Sequence, residues 1–257
     1  MSNTKIELAD QLVLVTGGAR GLGAHIVQAF AKQGAQVVIN YYQSQLAANQ
    51  LAEKIGQQAV ALQADVRDAK AVASMVDAAQ QHFGRNITTL VNNALPEFKF
   101  DGEQRAKAHE IHWQSMAQQL DGLKSALNTI QALVGGMKAQ RFGRIINIGT
   151  NLVQNPVVPY HDYTAAKAAL LSLTRTFAQD LGAWGITVNM MSGGLLKTTD
   201  ASKATPEEVF NIIAANTPLQ RVITPEEFAD VALFFASPWA RSVTGQNLIV
   251  DGGLVKK

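Results

Sequence analysis

The stretch "LVLVTGGARGLGAHIVQAFAKQG", residues 12–34, decides the fold. It opens on a run of apolar, partly β-branched residues that is apolar on both faces, as a strand inside a parallel sheet must be. The run stops at Thr16, and Gly17, Gly21 and Gly23 follow at once. An alanine-rich amphipathic helix begins where the glycines end. Glycine permits a tight turn and lets backbone N–H groups approach an anion at the helix N-terminus. Strand, glycine turn and helix together are the context in which a dinucleotide pyrophosphate is held. The spacing is G-x-x-x-G-x-G rather than G-x-G-x-x-G. A glycine turn shaped only by packing is the plainer alternative.

Outward from this unit the same rhythm repeats. Candidate strands are 12–16, 36–40, 59–64, 88–93, 144–149, 186–191 and 247–251. Candidate helices are 22–33, 44–55, 69–83, 104–139, 161–183, 206–215 and 225–236. Alternating βαβ units with right-handed crossovers predict an α/β fold: a single-domain, Rossmann-type doubly wound sheet of about seven mostly parallel strands with helices on both faces. No linker or composition shift divides the chain, so 1–257 is read as one domain. The segment 94–112, "ALPEFKFDGEQRAKAHEIH", is the least regular and reads as a loop near the site. Residues 193–217 read as a flap.

Bulk properties narrow the function. The 257 residues suffice for one large α/β core. A formal net charge of +2 gives no electrostatic case for nucleic acid or an anionic membrane. The absence of cysteine excludes disulfides, thiolate chemistry and zinc–thiolate sites. Five scattered histidines form no HExxH pair, so no metal is expected. The N-terminus carries no signal-peptide apolar core, and no apolar run is long enough to span a bilayer. The expected location is the cytoplasm.

The end of the second strand bears on the choice of cofactor. An NAD site places Asp or Glu there to bind the ribose 2′-hydroxyl. Here the strand ends "INYYQS", without a carboxylate. Arg20, inside the glycine loop, is placed to pair with a 2′-phosphate. Ser44 and Asn40 are candidate further donors. The expectation is NADP(H) over NAD(H).

Tyr163 and Lys167, in "YTAAKAALLSLTRTF", are one helical turn apart and share a face. Spacing alone marks only an aromatic–lysine pair; the glycine loop gives the pair a nicotinamide to work with. A phenol ordinarily ionises near pH ~10. A neighbouring ammonium and an oxidised nicotinamide favour phenolate, which makes it a usable acid and base.

The glycine loop, "ADV" (64–66), "NNA" (92–94), "GRIINIG", Y-x-x-x-K, "GITVN" and "VTGQNLIVDGG" stand in one order from about residue 10 to residue 254. In these motifs the chain resembles the classical short-chain dehydrogenase/reductase family, its 3-oxoacyl-ACP reductase-like branch in particular. The resemblance implies that Thr16, Gly17, Gly21, Leu22 and Gly23 surround the pyrophosphate. It implies that Asp65 and Val66 frame the adenine, that Asn92 and Ala94 flank the adenosine ribose, and that Leu196 and Thr198 meet the carboxamide. It makes Tyr163 the proton donor in ketone reduction and gives Lys167 the nicotinamide ribose as well. Thr150, thirteen residues before Tyr163, stands where the family usually has Ser. Threonine keeps the hydroxyl and adds a β-methyl, which restricts χ1 and narrows the pocket. Leu152, Asn155, Tyr160 and Gly194 are candidate pocket residues; His161 fits an exposed loop equally well. The resemblance also implies a homotetramer joined through helices 104–139 and 161–183 and the last strand.

Three positions depart from the family. Its helix asparagine, which holds a water in a proton relay to the Lys, falls at Gly122 or, counted from Trp113, at Leu120. Leu95 replaces the usual Gly, and Gly193 the usual Pro. The expected activity is NADP(H)-dependent reduction of a 3-oxoacyl thioester or other small ketone by a Thr150–Tyr163–Lys167 set. An NAD-dependent alcohol or sugar dehydrogenase, and a weakly active or inactive NADP-binding regulatory or structural protein, remain the alternatives.

Overall fold

The computed structural model describes residues 5–98, 100–197, 199, 202 and 205–256. Seven strands form one sheet: β1 (Leu12–Val15), β2 (Gln36–Tyr41), β3 (Ala59–Gln63), β4 (Thr89–Asn92), β5 (Gly143–Thr150), β6 (Ile186–Gly193) and β7 (Asn247–Val250). Their order is β3-β2-β1-β4-β5-β6-β7 and every pairing is parallel. Helices α1 (Gly21–Lys32), α2 (Gln45–Ile55), α3 (Ala69–Phe83), α4 (Trp113–Gln140), α5 (His161–Leu181), α6 (Glu207–Asn216) and α7 (Pro225–Ala236) connect them. The predicted doubly wound sheet is therefore the observed one.

Alternation along the central strands builds two cores. Val13, Val15, Val37 and Ile39 face one side, against Ile26, Val27 and Phe30 of α1 and Phe228 and Phe235 of α7. Leu12, Leu14, Val38 and Leu90 face the other, against Val72 and Val76 of α3 and Ile130, Leu133 and Met137 of α4. Because both faces are covered, the strands read as continuous apolar runs.

Strand order reverses between β1 and β4, so the carboxyl ends of these strands open a crevice, the usual ligand position in such sheets. The β5–β6 register runs from Gly143↔Ile186 to Thr150↔Gly193 and sets Thr150 at that same edge.

One expectation is corrected. The helix expected over 104–139 begins only at Trp113. Before it, the Asp101 carboxylate accepts the N–H groups of Glu103 and Gln104, and the Glu110 carboxylate accepts that of Lys107. These local bonds stabilise turns in competition with the helix, and His112 is extended, with φ −104° and ψ 143°. Among the described residues no helix is long and apolar enough to cross a membrane.

Candidate active site

The glycine loop is built by mutual bonding among strand ends. Thr16 Oγ1 accepts the N–H groups of Asn93 (2.9 Å) and Ala94 (3.0 Å), and the Asn93 amide donates to the carbonyls of Thr16 and Gly17. Gly17 and Gly21 take left-handed φ values of 61° and 54°. A Cβ on Gly23 would run into the Gly17 carbonyl oxygen. The turn thus closes to a shape that only glycine permits, directly over the N-terminus of α1. Leu22 is partly buried beneath it.

Asn40 has a different job from the one expected. It is 2 % exposed. Its Oδ1 accepts Gly17 N–H at 3.2 Å and its Nδ2 donates to Ala64 O at 3.1 Å. Its Nδ2 also donates to Tyr41 O at 3.4 Å, so both amide N–H groups are engaged while the side chain shapes the glycine loop from below. Ser44 is half-buried at the N-cap of α2, without a side-chain capping bond. Asp65 is clasped by Arg67, whose Nε and Nη2 donate to the carboxylate at 2.9 and 2.7 Å. That pairing holds the Asp65 carboxyl below its ordinary range. The Arg67 guanidinium lies 5.5 Å from the centre of the Tyr42 ring, just beyond β2. The sequence reading passed over Arg67; its place beside "ADV" was the available signal.

Asn92 is also spent internally. Its Oδ1 accepts from Thr129 at 2.7 Å, and its Nδ2 donates to Asn147, which donates in turn to Thr174. This buried chain ties α4, β4, β5 and α5 together and fixes the Asn92 side chain against the sheet. Val66 is buried, and its carbonyl accepts the Asn128 amide. Ala94 lies against Gly17.

Tyr163 and Lys167 project from the first turns of α5 beside the end of β5. The Thr150 hydroxyl lies close enough to the Tyr163 phenol to favour its ionised form. Lys167 Nζ donates to Ile148 O at 2.7 Å and lies 5.8 Å from the Tyr163 ring centre. The fold therefore brings the three expected side chains together. The expected lowering of the phenol involves an oxidised nicotinamide beside it; the protein's own surroundings act the other way. Burial pushes Tyr163 up to about 12, against the smaller opposing effect of the Thr150 hydroxyl. Burial also pulls Lys167 down to about 8.

The reason for that burial was missed in the sequence. Phe98 stacks on Tyr163, with ring centres 4.8 Å apart and planes 20° from parallel. Phe100 meets the same ring edge-on at 5.3 Å, and both phenylalanines meet Tyr160 edge-on. The alternating aromatics of "EFKF" were the signal. Tyr160 belongs to this cluster and is 8 % exposed. Leu152 and Asn155 are half-buried on the loop after β5, and His161 is half-buried at the start of α5.

Gly194 packs against Asn151, whose amide donates to Asp251 at 2.9 Å and so ties the chain end to the residue after Thr150. Leu196 is buried in the core beside Met191 and Ile223. Thr198 lies outside the described residues.

Gly122 faces Pro96: a Cβ on Gly122 would stand 3.2 Å from the proline Cδ. The proline ring takes the space that a longer side chain would need. Next to it is a cavity of about 20 Å³ lined by Thr16, Asn92, Gln119, Ser125, Tyr163 and Lys167 among others. That is room for one water molecule. At Gly193 the Phe228 ring presses in, 2.9 Å from where a Cβ would stand.

The family model described as enoyl-(acyl carrier protein) reductase matches residues 17–255. A 3-oxoacyl-[acyl-carrier-protein] reductase of Synechocystis sp. is 34 % identical over 96 % of this chain and 98 % of its own. The short chain dehydrogenase/reductase AacuN of Aspergillus aculeatus is 34 % identical over 96 % of both chains. The crystal structure of a 3-oxoacyl-[acyl-carrier protein] reductase from Brucella melitensis superposes with a TM-score of 0.88 at 31 % identity, over 98 % of this chain and 95 % of that one.

Proposed function

The chain belongs to the short-chain dehydrogenase/reductase family, and we propose that it is an NADP(H)-dependent ketoreductase acting on a 3-oxoacyl thioester or a related ketone. The observation that carries this reading is the convergence of Thr150, Tyr163 and Lys167 at the same sheet edge as the glycine loop. The fit to a dinucleotide rests on that loop: positive φ at Gly17 and Gly21 and no room for a Cβ at Gly23 leave backbone N–H groups open to a pyrophosphate.

When bound, the reduced nicotinamide supplies a hydride to the carbonyl carbon. The side chains manage the oxygen and the proton. Thr150 donates a hydrogen bond to the carbonyl oxygen and fixes its direction. Tyr163 gives its phenolic proton to that oxygen as negative charge develops there, so ketone, hydride and proton add up to the alcohol. The Lys167 ammonium, held by the Ile148 carbonyl, stabilises the phenolate that remains. The water-sized cavity beside Lys167 offers a route for the replacement proton that needs no asparagine at residue 122.

The choice of NADP(H) rests on charge. The end of β2 offers Tyr41 and Tyr42, with no carboxylate for a 2′-hydroxyl, and Asp65 is engaged by Arg67. Arg20 at the N-cap of α1 and Arg67 beside Tyr42 are the candidate partners of a 2′-phosphate. The names of the relatives support the thioester substrate. The cytoplasmic location and the homotetramer are carried over from the family.

The test is a panel of 3-oxoacyl thioesters, small ketones and sugar alcohols assayed with both cofactors. The reading expects NADPH-dependent reduction of a ketone. Oxidation of alcohols with NAD alone would favour the dehydrogenase alternative. Tight NADPH binding without turnover would favour the binding protein.

A further inference from the structure

At the opposite edge of the sheet lies a second cavity, of about 220 Å³, between the 3-10 turn after α5, the amino ends of β5 and β6, and the segment before β7. Arg144, Arg141, Arg241 and Lys5 line it, and no acidic residue does. Thr187 and Ser242 add hydroxyls.

Arg144 sets this place apart from an ordinary basic surface. It is 5 % exposed, yet no carboxylate among the described residues pairs with it. Its Nη1 donates to the carbonyls of Gly143 and Gly185, its guanidinium lies 4.2 Å from the centre of the Phe142 ring, and its Nε is buried with no partner at all. Burial alone depresses its pKa, to about 10. A buried charge without a counter-ion is costly, and buried charges are ordinarily paired. At the rim, Arg141 and Arg241 are exposed; they donate to the backbone carbonyls of Ala183 and Pro238, the Arg141 guanidinium lies 5.8 Å from the centre of the Trp184 ring, and among the described residues neither pairs with a carboxylate. Four cations around one concavity, with no acidic residue beside them, make a surface complementary in charge to an anion.

We propose that this cavity is a binding site for a small oxyanion of the phosphate class, either inorganic phosphate or a phosphate monoester, held by Arg144 from below and by Arg141 and Arg241 from the rim. A guanidinium fork matches phosphate oxygens in geometry as well as in charge. Arg144 and Thr150 lie at the two ends of β5, six residues and about 20 Å apart. The site is thus distinct from the glycine loop and independent of the reduction proposed above.

The experiment titrates inorganic phosphate into the full-length protein against chloride at equal ionic strength and follows the melting temperature and the heat of binding. The expected result is a saturable heat of binding and a melting-temperature rise of about 3 °C at ten times the dissociation constant, growing with the logarithm of phosphate beyond it. Arg144→Met, and independently the Arg141→Ala/Arg241→Ala pair should Arg144→Met not fold, should abolish the rise. Arg20→Ala in the glycine loop should keep it. Glycerol phosphate in place of phosphate distinguishes a monoester from the free ion. Overturning results are a response no larger than that to chloride, a response that survives in the rim variant, or one lost in Arg20→Ala.

Discussion

The ring of Phe98 lies on the ring of Tyr163, with centres 4.8 Å apart and planes 20° from parallel. A residue from the least regular segment of the chain thus covers the most chemically demanding one. Burial of this kind opposes ionisation of a phenol. Phe98→Ala should therefore bring the Tyr163 phenol down from about 12 towards its ordinary 10. Ultraviolet phenolate titration of Phe98→Ala against Phe98→Ala/Tyr163→Phe isolates this group from the other tyrosines. An unchanged midpoint would mean that Phe98 does not enforce the burial.

Lys167 should leave its mark on stability against pH. Its folded pKa is about 8 against an ordinary 10.5. Between those values the unfolded chain binds more protons than the folded one, so this group makes stability rise with pH across that window. Tyr163, raised to about 12 from 10, acts oppositely, and stability falls as pH passes from 10 to 12. In urea unfolding, wild type should gain on Lys167→Met by up to about 3 kcal/mol between pH 8 and 10.5. Parallel curves for the two proteins would remove the buried ammonium from the account.

Gly122 and Pro96 form a packing pair. Restoring the family asparagine by Gly122→Asn should cost about 1–3 kcal/mol through overpacking. Adding Pro96→Ala should recover most of that loss, a coupling that a double-mutant cycle reads directly. Additive costs would show that the proline ring is not what occupies the space.

Arg20 and Arg67 carry the choice of cofactor. Charge-assisted hydrogen bonds of this kind contribute roughly 1.5–3 kcal/mol. Each of Arg20→Ala and Arg67→Ala should weaken NADPH binding by about tenfold or more and leave NADH binding within about twofold. Equal weakening of both nucleotides would place these side chains away from the 2′-phosphate.

What the sequence made legible follows from how locally each feature is encoded. Seven strands and the glycine turn were readable because periodicity and glycine spacing act over a few residues, as at Leu12–Val15 and Gly17–Gly23. Thr150, Tyr163 and Lys167 were readable as a motif, and the fold brings them together. The start of α4 was misread because "AKAHE" suits a helix, while the carboxylates of Asp101 and Glu110 stabilise turns instead. An asparagine at a strand end looks the same in sequence whether it faces a ligand or a neighbouring strand. The long-range pairings Asn40–Ala64 and Asn92–Asn147, which tie these side chains to the sheet, are visible only in the fold. Phe98 over Tyr163 and Pro96 against Gly122 join residues far apart in sequence, which no local pattern announces.

The measurement that bears most directly on the central claim is ketone reduction by NADPH in Tyr163→Phe, with NADPH binding followed alongside. Phenylalanine keeps the ring, its stacking against Phe98 and the packing of α5, and removes the hydroxyl that carries the proton. The account predicts a rate lower by about 10²–10⁴-fold with NADPH affinity unchanged. Reduction by Tyr163→Phe within a few-fold of wild type would contradict it.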